Sequence, residues 1–562
     1  MPEANGAPGS RRITIALLPL LRRVAGLFFV ALIAYGLWSR DGISDGRWLA
    51  ILGTGWLMLL VALWPTLPAS VPTFARTTIR TALLIATVFV VLAVQLLRIQ
   101  VVQRQATVDR VATDPGSGEV IANARIQVAD LEGRRGRIFD RNGAILANTV
   151  FEGDTARRIY PDPESAYVVG YFSPLLYGKT GLEASYDGQL AGQEGNNAIL
   201  RSLNDLLDRP PEGLDLELTL DAEIQRTAHV LLDGRPGAAV LLDVETGAVL
   251  ALASNPHYDP NRLFTAYPSE RDAAVGYWES LVADAASSLV PRATEGLYTP
   301  GSTFKVVSAA AVIEEGFADP DRIYEDDGSL DVEGRVIVEQ NRPDESRSEW
   351  TLREGMAWSL NVVFAQVGLQ LGAALMRDYA NRFGLESRIP FDLPVAISQS
   401  EVSEGFLEAL PALADTAFGQ GQLQVTPLQM AMVTAAIAND GEMMQPYLVQ
   451  RLTTQDGTTV ESTEPEVWQR PISDGTAAAV ASMMVTTVEA GAAQAATLPG
   501  YVVGGKTGTA ETGSGEPHAW FIGFVGEPEP RYAVAVVLEG GGTGLAGSLA
   551  IGRDLLYAAM TA

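Results

Sequence analysis

Three apolar stretches open the 562-residue chain, at roughly 24–38, 48–64 and 82–97. Each is close to the shortest run that spans a bilayer as a helix. Trp38, Trp48 and Trp64 stand at the ends of these stretches, where amphipathic rings favour the membrane–water boundary. Arg11, Arg12, Arg22 and Arg23 precede the first stretch, and Arg76 and Arg80 lie between the second and third. The intervening loop has Arg40 and Arg47 offset by Asp41 and Asp45. This asymmetry predicts an N-terminus inside, three crossings, and everything after about residue 100 outside. The first stretch is the weakest of the three, because Arg22 and Arg23 interrupt its apolar run. A cleaved signal peptide is not indicated, since two further segments follow.

Beyond the membrane region, 1–100, the pattern changes. Arg134–Ala147 reads as two short strands around an Asn142-Gly143 turn. Proline and glycine punctuate 101–217 without a helical period, which predicts a small β-rich module. After Pro210-Pro211 a larger domain, 218–562, begins. It opens with a hairpin over Gly237–Leu252 that turns at Glu245-Thr246-Gly247. Helices are predicted at 302–315 and through most of 352–383. Asp415 and Thr416 read as a helix-start cap before Phe418. Strands at 501–509, 519–526 and 531–538 and a last helix at about 546–560 close the chain. Strands at both ends with helices between predict an α+β domain whose mainly antiparallel sheet joins distant segments.

Charge and composition narrow the function. The net charge is −27, which opposes a nucleic-acid partner, since phosphate binding needs clustered cations. The first 110 residues run the other way, with eleven Arg against four acidic residues. A basic apolar front and an acidic remainder suit a membrane anchor carrying an exported domain. Cysteine is absent, which removes disulfides and thiolate chemistry. His229, His257 and His518 are too scattered for a zinc motif, and no GxSxG accompanies them. No metal or other cofactor is expected.

Of 40 basic residues only Lys179, Lys305 and Lys506 are lysine. Arginine serves for solvated charge, so the rare lysines draw notice as titratable amines. Ser302-Thr303-Phe304-Lys305 places a hydroxyl and an amine three residues apart, on one helical face. A helix start favours developing negative charge at Ser302, and an amine kept neutral by burial and a nearby cation can deprotonate it. Ser359-Leu360-Asn361 sets a hydroxyl and an amide at a helix boundary; alone it reads as a capping turn. Gly504-Gly505-Lys506-Thr507-Gly508-Thr509 lies in a strand whose glycines permit close approach by a ligand. Gly500 through Thr507 also satisfies GxxxxGKT formally. That motif needs a strand before it and a helix after it, whereas valines fill this loop and strand patterns follow.

SxxK, SxN and KTG in that order are the motif set of penicillin-binding proteins and class A β-lactamases, and two of the three lysines fill its lysine positions. Over roughly 85–562 the sequence resembles class B penicillin-binding proteins of the PbpA/FtsI kind. The resemblance is carried by Thr299–Lys305, Arg137–Gly143, Tyr258–Asn261, Phe418–Gln429, Arg158–Pro161 and Tyr177–Glu183. It implies a penicillin-binding-protein/β-lactamase-like transpeptidase domain, a pedestal or dimerisation-like module over 101–217, and one anchor helix, matched by 82–97. The two earlier hydrophobic segments depart from the family pattern.

The implied activity is peptidoglycan D,D-transpeptidation. Ser302 attacks the penultimate D-Ala carbonyl of a stem peptide, Lys305 is the general base, and Ser359 relays the proton to the leaving amine. Asn361 orients Lys305 and the peptide. Lys506, Thr507, Gly508 and Thr509 form the binding strand for the terminal carboxylate, and Lys506 depresses the pKa of Lys305. The Ser302 and Thr509 backbone N–H groups form the oxyanion hole. β-Lactams would acylate the same serine. Implied partners are stem peptides ending in D-Ala-D-Ala, the cytoplasmic membrane and a multi-span glycosyltransferase. Lys179 is read as structural and His518 as edge packing. A D,D-carboxypeptidase, a β-lactam sensor and a division scaffold are the rival readings. A β-lactamase would need a deacylating glutamate, and the sequence identifies none.

Overall fold

The computed structural model describes residues 9–38, 43–99, 112–113, 120–121, 133–153, 155–194, 212–512, 515–542 and 547–562. The chain divides into two compact units, Met1–Val128 and Ala129–Ala562. The Pro210-Pro211 boundary lies outside the described residues.

In the first unit α1 (Gly9–Trp38), α2 (Asp45–Leu63) and α3 (Thr73–Leu97) are long and apolar enough to cross a membrane. α1 runs straight through Arg22 and Arg23, and Arg22 donates to the Trp64 carbonyl at the end of α2. Trp48, in the first turn of α2, packs inward among the helix ends. It is 2% exposed, lies against Gly36 of α1, and donates to Gln95 Oε1 of α3 at 2.5 Å. A β-carbon on Gly36 would stand 2.4 Å from that ring, so the glycine makes the groove the indole fills. Trp56 donates to Thr87 Oγ1 at 3.1 Å. With little hydrophobic drive between helices in lipid, such close packing and side-chain hydrogen bonds are what hold a bundle together.

The second unit begins with β1 (Ile138–Phe139) and β2 (Ile145–Glu152), the hairpin read from Asn142-Gly143, followed by β3 (Thr155–Ile159). Gly143 takes φ +85° in that turn, a conformation glycine reaches without strain. Next come β4 (Asp215–Leu218), α4 (Ala222–Leu232), β5 (Gly237–Asp243) and β6 (Val249–Asn255). Asp140 knits the two parts together: it accepts from Asn142 N at 2.9 Å in its own turn and from Ala222 N at 3.1 Å at the start of α4.

The middle of the chain supplies α5 (Lys305–Glu314), the hairpin β7 (Ser329–Val332) and β8 (Arg335–Val338), α6 (Leu352–Trp358), α7 (Asn361–Arg382), α8 (Leu410–Ala417) and α9 (Pro427–Ala438). Asp415 and Thr416 lie at the C-terminal end of α8, so their reading as a helix-start cap is corrected. The cap belongs to Thr426, whose hydroxyl accepts from Gln429 N at the start of α9. The chain ends with β9 (Val449–Thr453), β10 (Thr459–Ser462), β11 (Val502–Ala510), β12 (His518–Gly526), β13 (Pro530–Leu538) and α10 (Ser548–Thr561).

Two sheets result. One has the order β10-β9-β4-β1-β2-β3 and mixes strands from three distant parts of the chain. The other, β6-β5-β13-β12-β11, is antiparallel throughout. Side chains alternate between faces along a strand. Ala238, Val240 and Leu242 join the core that holds α9, whereas Ala239 and Leu241 join the one that holds α4 and α10. Both faces are covered, which explains why these strands read as unbroken apolar runs.

Candidate active site

Ser302 lies in a 3-10 turn, Gly301–Phe304, that leads directly into α5. The expected helix over 302–315 thus begins with one tighter turn. Gly301 has φ +56°, and a β-carbon there would come within 2.5 Å of the Thr509 carbonyl. From the other side, a β-carbon on Gly508 would meet the Pro300 carbonyl at 2.9 Å. These two glycines let β11 run against the serine turn. The turn is fixed further by Thr303 Oγ1 donating to Pro300 O at 2.7 Å and Trp520 Nε1 donating to Thr299 O at 3.0 Å. Gln420, in the Phe418–Gln429 stretch, donates to Thr509 O at 3.2 Å. Ser302 itself is partly exposed, while Lys305 and Lys506 are fully buried.

Ser359 ends α6 in a left-handed conformation, φ 63° and ψ 41°. For a residue with a β-carbon this costs about 1–2 kcal/mol. Several contacts hold it. Lys305 Nζ donates to the Ser359 carbonyl at 2.7 Å, to Ser359 Oγ at 3.2 Å and to Asn361 Oδ1 at 2.8 Å. Lys506 Nζ donates to Ser359 Oγ at 2.8 Å and to the Thr507 carbonyl at 3.0 Å. The Ser359 hydroxyl therefore stands between the two amines, and SxxK, SxN and KTG meet at one point.

Electrostatics follow from burial. Desolvation, then the neighbouring Lys506, push the Lys305 amine well below the ordinary lysine range, against an opposing pull from Glu339. Burial lowers Lys506 to about 7. A neutral amine has two N–H groups and one lone pair. Of the three contacts of Lys305 Nζ, a neutral amine can donate to two, which turns its lone pair towards the third.

Thr507, Gly508 and Thr509 follow Lys506 on β11, which among the described residues pairs only with β12, leaving its other edge open. Lys179 lies apart, paired with Asp187 at 2.9 Å. His518 stacks edge-on against Tyr298 with ring centroids 5.4 Å apart. Sequence reasoning missed Glu339 and Asn341. Asn341 Nδ2 donates to the Ser359 carbonyl at 3.3 Å, and Glu339 accepts from Val362 N at 3.0 Å. Both lie just after β8, where neither spacing nor motif signals proximity to the lysines. Among the described residues no group of acidic or histidine side chains is arranged to hold a metal.

A serine turn, two buried amines and a shared hydroxyl under an open strand edge define a serine acyl-transferase. Residues 237–560 match the penicillin binding protein transpeptidase domain, and residues 135–216 match the penicillin binding protein A dimerisation domain. The chain belongs to the penicillin-binding protein transpeptidase family and is a penicillin-binding D,D-transpeptidase. It is 34% identical over 495 residues to the peptidoglycan D,D-transpeptidase PbpA of Mycolicibacterium smegmatis, covering 85% of this chain and 98% of the relative. PbpA of Mycobacterium tuberculosis is likewise 34% identical, over 81% of this chain and 95% of its own length. The ceftriaxone acyl-enzyme of penicillin-binding protein A from M. tuberculosis superposes with a TM-score of 0.72 at 33% identity, over 77% of this chain and 99% of that one.

Proposed function

We propose that the chain cross-links peptidoglycan stem peptides through an acyl-enzyme on Ser302. The observation that carries this reading is the Ser359 hydroxyl, 3.2 Å from Lys305 Nζ and 2.8 Å from Lys506 Nζ. In the first step Ser302 Oγ attacks the penultimate D-Ala carbonyl while Lys305 accepts its proton. The N–H groups of Ser302 and Thr509 stabilise the oxyanion, the term that dominates many acyl transfers. The C–N bond then breaks, and the proton passes through Ser359 to the amine of the departing D-Ala. In the second step an amine from a neighbouring strand attacks the ester and Ser302 recovers its proton. Lys506, Thr507 and Thr509 hold the terminal carboxylate, with the donor peptide lying along the open edge of β11. Asn361 keeps the Lys305 amine aimed.

The three N-terminal helices anchor the chain in the membrane, with the catalytic unit on the outer side and the module over 101–217 acting as its pedestal. The arginine asymmetry around the helices supports that orientation. A multi-span glycosyltransferase that supplies nascent strands is the partner this arrangement suits.

Labelling membranes with a fluorescent penicillin tests the reading. Wild type is expected to give a covalent band that is absent in Ser302→Ala. A band that persists in the variant would place the acylated group elsewhere.

A further inference from the structure

We propose that Glu339 and Asn341 are positioning residues that hold the Ser359 turn and fix the two-lysine centre at a single shared proton. The inference rests on the reading that Lys305 deprotonates Ser302. Glu339 closes the β7–β8 hairpin by donating its backbone N–H to Gly328 O at 2.9 Å. Its side chain is 8% exposed. One carboxylate oxygen accepts from Gln340 N at 2.9 Å and Asn341 N at 3.1 Å, and the other accepts from Val362 N at 3.0 Å. Three backbone donors tether the group, and Val362 adds the favourable field at the start of α7. Two residues along, Asn341 Nδ2 reaches the Ser359 carbonyl at 3.3 Å, the same oxygen that receives Lys305 at 2.7 Å. The hairpin thus grips both ends of the short segment from Ser359 to Val362, whose left-handed serine would relax if released.

Charge balance supplies the second half of the argument. Lys305 faces Lys506 from β11, Ser359 and Asn361 from the α6–α7 turn, the Phe364 ring of α7 at 5.5 Å, and the field of Glu339 from the hairpin. Two protonated lysines in this dry space would repel. One ammonium shared between the two lysines, set against the Glu339 carboxylate, costs less in a buried cluster than two. That state has an amine ready for Ser302 and an ammonium ready for a carboxylate.

The experiment is the second-order rate of acylation by a fluorescent penicillin between about pH 5 and 10, on the full chain in detergent, with thermal unfolding as a check on folding. The two lysines titrate together, so the acid limb reports the pair. Glu339→Gln removes the charge but can still accept from Val362 N, and its acid limb should move down by about one pH unit. Asn341→Asp adds charge beside the Ser359 carbonyl and should move the limb up, which keeps the test decisive where Glu339→Gln does not fold. Asn341→Ala should cut the plateau rate about tenfold without moving the limb. A labelled wild type whose limb stays fixed in both charge variants overturns this inference alone. An unlabelled wild type overturns the acyl-enzyme reading, and this inference with it.

Discussion

Two groups of buried cations lie in the same structural unit and have opposite surroundings. Near the β1–β2 hairpin, Arg135 and Arg158 are 5% and 2% exposed, and both bind Glu183, which is fully buried. Arg158 Nε donates to Glu183 Oε1 at 2.6 Å, and Arg135 adds Asp187 at 2.6 Å. Burial alone would lower Arg135, but Glu183 and Asp187 outweigh it and raise its pKa. In the active site, Lys305 and Lys506 are just as buried, yet their direct contacts are hydroxyl, amide and carbonyl oxygens, with no carboxylate among them. Both fall below the lysine range. Burial makes a cation costly in either place. Direct carboxylate contacts lock the first group into a framework, whereas the second, without such contacts, falls below the ordinary lysine range, Lys506 to about 7.

Both groups make the fold more stable as pH rises, but in separate windows, Glu183 in acid and Lys506 from about neutrality upward. Burial pushes Glu183 up, but Arg158 and Arg135 more than offset this, so its folded value lies below its unfolded one. Its contribution is present above the unfolded value, about 4.3, and is lost as pH falls through the lower folded value. Lys506 has a folded value of about 7 against an unfolded one near 10.4. Between those values the unfolded chain holds more protons, so the Lys506 term makes the fold more stable as pH rises.

Lys305→Met should break the comparison most severely. It removes the uncompensated amine while keeping an unbranched chain of similar length, and acylation should slow by about 10²–10⁴-fold, the usual worth of a general base. Stability should stay level or rise, because a desolvated amine is gone. Stopped-flow acylation beside thermal unfolding reads both. A large loss of stability would mean that the amine is a structural strut like Arg135.

Glu183→Gln makes the converse change. It leaves Arg135 and Arg158 buried with their shared counter-charge removed, and breaking a buried pair in this way costs about 3–5 kcal/mol. The urea midpoint of the detergent-solubilised chain should fall, while the acylation rate per folded molecule should hold. If the variant is as stable as wild type, the arginines are hydrated or paired elsewhere and the contrast with the lysines fails.

The lysine centre was far more legible in the sequence than the arginine framework. Ser302-x-x-Lys305, Ser359-x-Asn361 and Lys506-Thr-Gly each announce a short-range geometry, and the rarity of lysine marked two of them. The five strands of the antiparallel sheet were readable because an apolar run bounded by turns has few other fates. Glu339 and Asn341 were not readable, since their role is set by where a polar hairpin folds back. The same is true of Trp48, whose place in the bundle depends on Gly36 across a helix pair. Nor did the pattern show that strands from 449–462 would join those from 138–159 in one sheet. Local spacing reports what a few neighbouring residues do together; pairing across hundreds of residues leaves no such periodic trace.

Lys179→Met sharpens the comparison with the smallest effect. Lys179 is the one lysine outside the motifs, bonded to Asp187 through both carboxylate oxygens at 2.9 Å and lying 5.2 Å over the Phe172 ring. Unlike Lys305, it has a carboxylate partner; unlike Arg135, it does not bind the fully buried Glu183 but only Asp187, 36% of whose side chain is open to solvent. Solvent screens such a pair, and exposed pairs are worth about 0.2–1 kcal/mol. Asp187 also keeps its bond to Arg135 in the variant, so no buried charge is stranded. The urea midpoint should therefore shift only slightly and the acid limb of acylation not at all. A moved limb would couple this lysine to the active site and end the division between compensated and uncompensated cations.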